Sequence, residues 1–249
     1  MPHIEEIRDY WNRRANGFAL AVDAEMDAEG ARAWAAFFRE TFPEPIEILD
    51  DGTGPGFFPA ILAPMGHQVT AIDYSEGMVE RARARFEALG LNVNVMRGDA
   101  QRLPFADECF DAVVSRNVLW NLDDPARAYG EIHRVLRPGG KVVIDDGNMY
   151  LYLHDADYAA ARERAMAEME RRAEKQGGLH GQYNVDNVDF SIIERIAEDL
   201  PMSRTLRPQW DFEQLVRLGF DDIRVTIRGG ELPMGFRITA RKRETPWQR

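Results

Sequence analysis

The sequence predicts an α/β protein whose core is a doubly wound, mostly parallel β-sheet. Strand and helix patterns alternate from residue 46 to residue 145, with short connections between them. The first apolar strand runs into Gly52, Gly54 and Gly56, and the second strand ends on an acid, Asp73. Glycines after a strand allow a sharp turn into a helix and a close approach of a ligand to the backbone. A carboxylate about 20 residues later is where such a fold binds ribose hydroxyls, so the pattern indicates a nucleoside-containing cofactor.

Five apolar runs in this region are predicted strands, at residues 46–49, 68–72, 93–96, 112–115 and 141–144. Between them, apolar residues recur at helical spacing, as Met78, Ala82, Phe86 and Leu89 do. Strands that alternate with helices through short connections form right-handed crossovers, which make neighbouring strands parallel.

The C-terminal part of the chain changes this order. Residues 212–218 have a helical pattern, and residues 223–227 and 235–241 read as two consecutive strands joined by a loop. Two strands joined in this way form an antiparallel hairpin. We therefore expect a seven-stranded sheet that is mostly parallel and carries an antiparallel C-terminal strand.

We expect a single domain over residues 1–249, although this length would also allow two small domains. Four segments are expected within it: an N-terminal helical cap (1–45), a cofactor-binding core (46–146), an insertion (147–210), and a C-terminal helix with its hairpin (211–249). The insertion follows the fifth strand, at the edge of the sheet where ligands bind in such folds. Its helices, at residues 157–176 and near 190–200, are therefore expected to form a lid over the substrate.

The composition argues against several classes of protein, namely nucleic-acid-binding, membrane and secreted proteins. A net charge of −11 and a pI of about 5.0 argue against nucleic-acid binding, which requires a concentrated basic surface. No apolar run approaches the ~20 residues that span a bilayer, and residues 1–6 lack the pattern of a secretory signal. We therefore expect a cytoplasmic protein that binds no membrane. Because Cys109 is the single cysteine, the chain cannot form an internal disulfide. The histidines are scattered without the spacing of metal ligands, so we expect no metal site.

The spacing of the glycines narrows the choice of cofactor. A dinucleotide fingerprint reads G-x-G-x-x-G, but Phe57 occupies the position of its third glycine. A G-x-G-x-G pattern preceded by Asp50 suits a ligand with an amino-acid tail in place of a pyrophosphate. The stretch resembles motif I of the class I S-adenosylmethionine (SAM)-dependent methyltransferases, which have a Rossmann-like fold.

Other stretches support the same resemblance. Residues 73–78 are similar to the D-x-S-x-x-M pattern of that family, and residues 98–105 resemble its motif III. Residues 134–140 resemble a signature of the methyltransferase type 11-like branch, which includes ubiquinone/menaquinone-type and small-molecule enzymes. The resemblance covers residues 46–145 well and residues 205–243 loosely. One local departure is Asp51-Gly52-Thr53, where the family often has a small residue or cysteine.

The resemblance implies SAM as cofactor and S-adenosylhomocysteine (SAH) as product. It places the methionine part on the glycines beside Asp50, the ribose on Asp73 and the adenine next to Asp99. The core residues expected to bind the cofactor are Asp50, Gly52, Thr53, Gly54, Gly56, Asp73, Tyr74, Met78, Gly98, Asp99, Ala100, Arg116 and Asn117. The N-terminal segment with Tyr10 and Arg14 resembles a short helix that closes over SAM in many relatives. The alternative is that this segment is an amphipathic helix that only packs against the core.

Methyl transfer from a sulfonium is an in-line displacement, so the enzyme mainly aligns the nucleophile and excludes water. A general base is needed only where the nucleophile must lose a proton. The candidates for this catalytic role are Asp146, Tyr150, His154 and His180. The residues expected to bind the acceptor are Trp11, Trp120 and Tyr183, with a place in the core as the alternative for Trp120.

We expect N- or O-methylation of a small molecule or a short peptide by a monomer or homodimer. The fourth strand is followed by neither N-P-P-Y nor D-P-P-Y, which argues against methylation of adenine or of a glutamine amide. One alternative is a protein that binds SAM without turnover. Another is an RNA methyltransferase, which would need a basic groove or an added RNA-binding domain, and the sequence shows neither.

Overall fold

The structure of the chain is a computed structural model that describes residues 3–26, 29–176, 183–229 and 232–244. Within these ranges, seven strands form one sheet: β1 (Glu47–Asp51), β2 (Gln68–Asp73), β3 (Asn94–Arg97), β4 (Phe110–Arg116), β5 (Leu136–Gly147), β6 (Phe220–Arg228) and β7 (Gly235–Lys242).

The strand order is β3-β2-β1-β4-β5-β7-β6, and β7 is antiparallel to both of its neighbours. Strand β1 pairs in parallel with β2 and β4, so that Leu49 lies opposite Thr70 on one side and Val113 on the other. The chain order reverses between β1 and β4, which is the point where doubly wound sheets bind ligands. The predicted fold class, a Rossmann-like and mostly parallel sheet with an antiparallel C-terminal strand, is confirmed.

The helices around the sheet are α1 (Ile4–Met26), α2 (Glu29–Thr41), α3 (Phe57–Leu62), α4 (Glu76–Ala88), α5 (Pro125–Val135), α6 (Ala156–Gln176), α7 (Ser191–Ala197) and α8 (Gln209–Leu218). Short 3-10 turns lie at Ala63–Met65, Leu119–Asn121, Leu151–Leu153 and Pro201–Ser203. In the described part of the chain, none of the helices combines the length and the apolar character that a membrane crossing requires.

The sheet has a hydrophobic core on each face, because side chains along a strand alternate in direction. Leu49 belongs to the core on one face, where Ile132 of α5 and Leu215 of α8 are fully buried. Its neighbour Ile48 belongs to the core on the other face, with Phe38 of α2. Each such side chain contributes about 1.5–3 kcal/mol on burial, so the two cores fix the positions of the strand ends.

The helix expected near residues 190–200 is shorter than predicted. Helix α7 ends at Ala197, and Pro201 begins the 3-10 turn that ends at Ser203. Leu200, the residue before the proline, is extended with a ψ of 140°. A proline disfavours helical backbone at the residue before it, which explains why the helix does not continue.

Helix α1 packs across α4 and lies over the carboxyl ends of the strands. Asn12 Oδ1 accepts hydrogen bonds from Ser75 Oγ (2.7 Å) and from Gly77 N (3.0 Å). Ser75 also caps α4 by accepting a hydrogen bond from Met78 N, as its place before the helix predicts. A Cβ atom at Gly77 would lie 3.1 Å from the Cβ of Ala15, so the glycine allows the two helices to approach closely.

A buried charge network joins the insertion to the sheet and to α8. Arg207 is fully buried, with Nη1 3.0 Å from Asp146 Oδ2, and its Nε and Nη2 donate to Asp211 at 2.8 and 2.5 Å. Asp211 Oδ1 also accepts from the hydroxyl of Tyr129, and Asp146 Oδ2 accepts from Trp120 N. Burial opposes the charge of Arg207, but the two carboxylates hold its pKa above the ordinary value. The network therefore fixes the loop that carries Trp120.

The variant Arg207→Met should lower the free energy of unfolding by ~3–5 kcal/mol, because Asp146 and Asp211 would become uncompensated buried charges. Urea denaturation measures this loss. The control is Arg217→Met, since Arg217 pairs with Glu213 on the exposed surface of α8 and an exposed pair contributes at most about 1 kcal/mol. A loss of similar size in the two variants would show that the buried network is not a major source of stability.

Candidate active site

A cavity of about 440 Å³ opens at the carboxyl ends of the parallel strands. The loops after β1, β2, β3 and β4 form its base, α1 covers it, and residues after β5 close one end. The residues predicted to serve the site that line this cavity are Trp11, Asp50, Gly52, Thr53, Gly54, Asp73, Tyr74, Met78, Gly98, Asp99, Ala100, Arg116, Asn117, Trp120 and Tyr150. Residues distant in sequence thus meet in one place.

The turn between β1 and α3 is shaped by glycines with left-handed backbone. Gly52 has a φ of 78°, and a Cβ atom there would lie 2.2 Å from a methyl group of Val118. Gly52 N and Thr53 N both donate to the carbonyl oxygen of Ile72, at 3.0 and 2.8 Å. These bonds tie the end of β1 to the end of β2. Gly54, with a φ of 54°, lines the cavity.

Asp73 is held in place by the backbone of this turn and of the next. Its Oδ2 accepts from Gly54 N at 2.8 Å and its Oδ1 from Ser75 N at 2.9 Å. Burial raises the pKa of Asp73 to about 6, although the hydrogen bonds from Ser75 and Gly54 oppose the shift. Each carboxylate oxygen has two lone pairs, so Asp73 can still accept from a ligand in the cavity.

Two further carboxyl groups line the cavity at the end of β1. Asp50 is 2% exposed and Asp51 is 1% exposed. Within the described ranges, Asp50 Oδ2 and both carboxyl oxygens of Asp51 make no hydrogen bond. Burial, followed by the neighbouring charge of Asp73, raises the pKa of Asp50 to about 7. Burial, followed by the neighbouring charge of Asp50, raises the pKa of Asp51 to about 8.

The loops after β2 and β3 form another part of the cavity. Met78 is 2% exposed and lines this part together with Tyr74. Asp99 Oδ1 accepts from Gln101 N at 2.8 Å, which fixes the turn that carries Ala100. Thioether and aromatic side chains beside a carboxylate suit a flat ring that carries an amino group.

The loop after β4 brings Arg116 and Asn117 to the cavity. Arg116 Nη2 lies 2.7 Å from Glu25 Oε1, and its guanidinium lies over the ring of Phe57, 4.5 Å from the centroid. Asn117 adopts left-handed backbone with a φ of 56° and donates from its N to the carbonyl oxygen of Asp145 at 2.8 Å. The pair between Arg116 and Glu25 links α1 to the sheet across the cavity.

One end of the cavity is lined by aromatic residues, which we call the aromatic slot: Trp11, Trp120, Tyr150 and Tyr152. The ring centroids are 6.5 Å apart for Trp11 and Trp120, 5.1 Å for Trp120 and Tyr150, and 5.7 Å for Tyr150 and Tyr152. The guanidinium of Arg162 lies 3.9 Å from the centroid of Tyr152. Such a surface suits an acceptor with a flat or cationic face.

Six described residues predicted for the site do not line the cavity: Tyr10, Arg14, Gly56, Asp146, His154 and Tyr183. A Cβ atom at Gly56 would lie 2.6 Å from the ring of Phe86, so this glycine permits packing against α4. Tyr10 is buried in a hydrophobic cluster with Ile7. The reason in both cases is that these residues face a neighbouring element and not the cavity.

The other four residues outside the cavity have partners elsewhere. Arg14 donates to the carbonyl oxygen of Tyr183 at 3.2 Å, so these two predicted residues contact each other. Asp146 is held in the ion pair with Arg207. The ring of His154 is exposed, with Nε2 3.2 Å from the carbonyl oxygen of Glu198. A general-base role for Asp146 or His154 therefore lacks the required proximity.

The remaining catalytic candidates are Tyr150 and His180. His180 lies outside the described residues. Tyr150 lines the aromatic slot, and burial raises the pKa of its hydroxyl above the ordinary value. A hydroxyl with a raised pKa stays protonated and donates hydrogen bonds. Among the described residues, no group of three or more His, Cys, Asp or Glu side chains is arranged to hold a metal ion.

Sequence reasoning identified Trp11 but missed three other residues of α1 that form the cover. Phe18, Val22 and Glu25 line the cavity together with Trp11. Their spacing of seven, four and three residues along the chain places them on one face of a helix. This periodicity was a usable signal. Arg162 carried no comparable signal, because it lies in a run of charged residues on α6.

Comparisons with known proteins agree with this geometry. A family model described as a methyltransferase domain matches residues 49–144. A phosphatidylethanolamine N-methyltransferase of Cereibacter sphaeroides is 34% identical over 160 residues, which cover 63% of this chain and 73% of that enzyme.

Two further proteins are similar over different lengths. The ubiquinone/menaquinone biosynthesis C-methyltransferase UbiE of Desulfotalea psychrophila is 40% identical over 102 residues, which cover 40% of this chain and 41% of that enzyme. The chain thus matches only about two fifths of that relative. The crystal structure of a SAM-dependent methyltransferase from Aquifex aeolicus has a TM-score of 0.56 at 20% identity and covers 88% of this chain and 92% of that one.

The variant Asp51→Asn should remove a pH-dependent loss of stability. The pKa of Asp51 is about 8 in the folded chain against an ordinary 3.8, so the folded state binds more protons than the unfolded state between these values. Stability therefore falls as the pH rises through this window. The stability difference between Asp51→Asn and the wild type should grow in favour of the variant by up to about 1.4 kcal/mol per pH unit.

Urea denaturation at several pH values measures this difference. The control is Asp157→Asn, because Asp157 is exposed on α6 and its removal should leave the pH dependence unchanged. An Asp51→Asn variant whose stability follows that of the wild type at every pH would contradict the prediction.

Proposed function

This chain belongs to the class I SAM-dependent methyltransferases, and we propose that it transfers a methyl group to a nitrogen or oxygen atom of a small molecule or short peptide. The observation that carries the proposal is the continuity of the cavity. The glycine turn and Asp73 lie in the same cavity as the aromatic slot. A cofactor bound at the glycine turn and an acceptor bound in the aromatic slot would therefore lie in one enclosed space.

The residues of the cavity fit SAM. Asp50 has a buried carboxyl oxygen without a partner among the described residues, which suits the ammonium group of the cofactor. Asp73 would accept from the ribose hydroxyls, and Asp99 would accept from the adenine amine. When bound, SAM supplies an electrophilic methyl group on a sulfonium.

The chain itself would orient the acceptor and exclude water. Trp11 and Trp120 provide flat surfaces on which an acceptor can stack, and α1 covers the cavity from solvent. Tyr150 would donate a hydrogen bond to the acceptor, because its raised pKa keeps the hydroxyl protonated. This arrangement favours an acceptor that is already nucleophilic when it binds, such as a neutral amine.

We propose that residues 147–210 form the substrate lid. Tyr150, Tyr152 and Arg162 come from this segment and line the cavity. Tyr152 donates to Glu194 at 2.6 Å, and Arg162 lies 3.2 Å from the same carboxylate. These bonds join α6 and α7, so the two helices would hold the acceptor as one unit.

The experiment that tests this function is incubation of the protein with SAM and separate panels of amines, phenols and carboxylates, followed by mass spectrometry. A mass increase of one methyl unit on an amine or a hydroxyl compound is the expected result. Methylation at carbon, the reaction named for the UbiE relative, would overturn the choice of acceptor atom. Binding of SAM without turnover on any panel would favour a protein that uses SAM only as a ligand.

The variant Asp73→Ala should weaken SAM binding by ~1.5–3 kcal/mol, the range for hydrogen bonds to a charged group. Isothermal titration calorimetry measures the affinity, and circular dichroism checks that the variant is folded. The matched control is Asp199→Ala, since Asp199 is exposed and does not line the cavity. Unchanged SAM affinity in a folded Asp73→Ala protein would disprove the assignment of Asp73 to the ribose.

A further inference from the structure

The end of β1 carries a carboxyl group for which the described residues provide no partner. Asp51 is 1% exposed, and both of its oxygens are buried without a hydrogen bond within the described ranges. The preceding residue, Asp50, is equally enclosed and has one such oxygen. Both residues line the cavity. A buried carboxylate without a hydrogen bond or a cation is strongly unfavourable. A positively charged ligand in the cavity would compensate the negative charge of these two groups.

The surroundings of Asp51 add negative charge. The acidic groups that face it from β1, β2, the loop after β3 and α5 are Asp50, Asp73, Asp99 and Glu131. Glu131 is paired with Arg134 at 2.8 Å, and Arg116, the basic residue that acts on Asp50, is paired with Glu25. The basic side chains of this region therefore have acidic partners already. An excess of carboxyl groups remains on the cavity side.

We propose that Asp51, together with Asp50, makes this cavity select SAM over its product SAH. The inference rests on the cofactor of the proposed function and makes no use of the acceptor. During transfer the methyl carbon bonds to the acceptor atom, and the electron pair of the broken carbon–sulfur bond stays on sulfur. The positive sulfonium thereby becomes a neutral thioether, whereas the adenosine, ammonium and carboxylate groups are unchanged. The charge on sulfur is thus the main difference that acidic residues can distinguish.

The attraction does not require contact between Asp51 and the sulfur atom. Coulombic interactions act over several ångströms where water is excluded, because the effective dielectric constant is low. A positive ligand also favours the ionised form of a carboxyl group. In the free protein, burial and the charge of Asp50 raise the pKa of Asp51 to about 8. SAM binding near neutral pH should therefore release protons, which SAH binding should do to a smaller extent.

The first test is calorimetry of SAM and of SAH with the wild type, Asp51→Asn and the control Asp157→Asn, above pH 8 where Asp51 is ionised. For Asp51→Asn we expect the Kd of SAM to rise on the order of tenfold and the Kd of SAH to change by less than about threefold. The control should leave both constants unchanged. Equal changes in the two constants, or no change in either, would overturn the proposal.

The second test uses the wild type alone and so does not depend on the folding of a variant. Calorimetry near neutral pH in phosphate and in Tris, buffers with different ionisation enthalpies, gives the number of protons released on binding. More protons released with SAM than with SAH is the expected result, and equal numbers would overturn the proposal. A wild type that binds neither compound would instead disprove the cofactor assignment, so the two failures are distinguishable.

Discussion

The hydrogen bonds that tie the end of β1 to the end of β2 determine the rest of the site. Gly52 N and Thr53 N share the carbonyl oxygen of Ile72, and Gly54 N reaches the carboxylate of Asp73. A residue with a side chain at Gly52 would collide with the loop after β4. The turn therefore packs tightly between the end of β2 and the loop after β4, and its backbone lines the cavity. The acidic residues at the ends of β1 and β2 lie beside this turn, and together they form one wall of the cavity.

Much of this wall could be predicted from the sequence, because it depends on local patterns. Glycines after an apolar strand, and an acid at the end of the next, have positions fixed by the parallel sheet. Residues on helices and in the insertion were harder to place. Tyr10 and Trp11 are adjacent on α1, yet only Trp11 lines the cavity, because successive residues of a helix point about 100° apart. Asp146 could equally have faced a ligand, since its partner Arg207 lies in a distant part of the chain with no sequence pattern linking the two.

The cover over the cavity combines apolar and charged contacts. Trp11 of α1 packs against Trp120 of the loop after β4 with their ring centroids 6.5 Å apart, while Glu25 pairs with Arg116 at the base. Exposed or partly exposed ion pairs contribute little to stability, so the apolar contacts hold α1 in place and the ion pair sets its orientation. Since α1 also contacts α4 through Asn12, the cover is fixed on the side of the β2 end and on the side of the β4 end.

The buried position of Arg207 bears on how the insertion of this chain could be exchanged for another. The Asn148 side chain bonds to the Arg207 backbone twice: its Nδ2 donates to the carbonyl oxygen at 2.9 Å and its Oδ1 accepts from the N at 3.0 Å. The Arg207 side chain reaches both Asp146 and Asp211. The segment proposed to form the lid is thus joined by buried contacts to Asp146, before residue 147, and to Asp211 inside α8. A chimera joined at the visible edges of the insertion would separate a buried cation from its anions. An exchange that keeps the fold should therefore carry Asp146 and Asp211 together with Arg207.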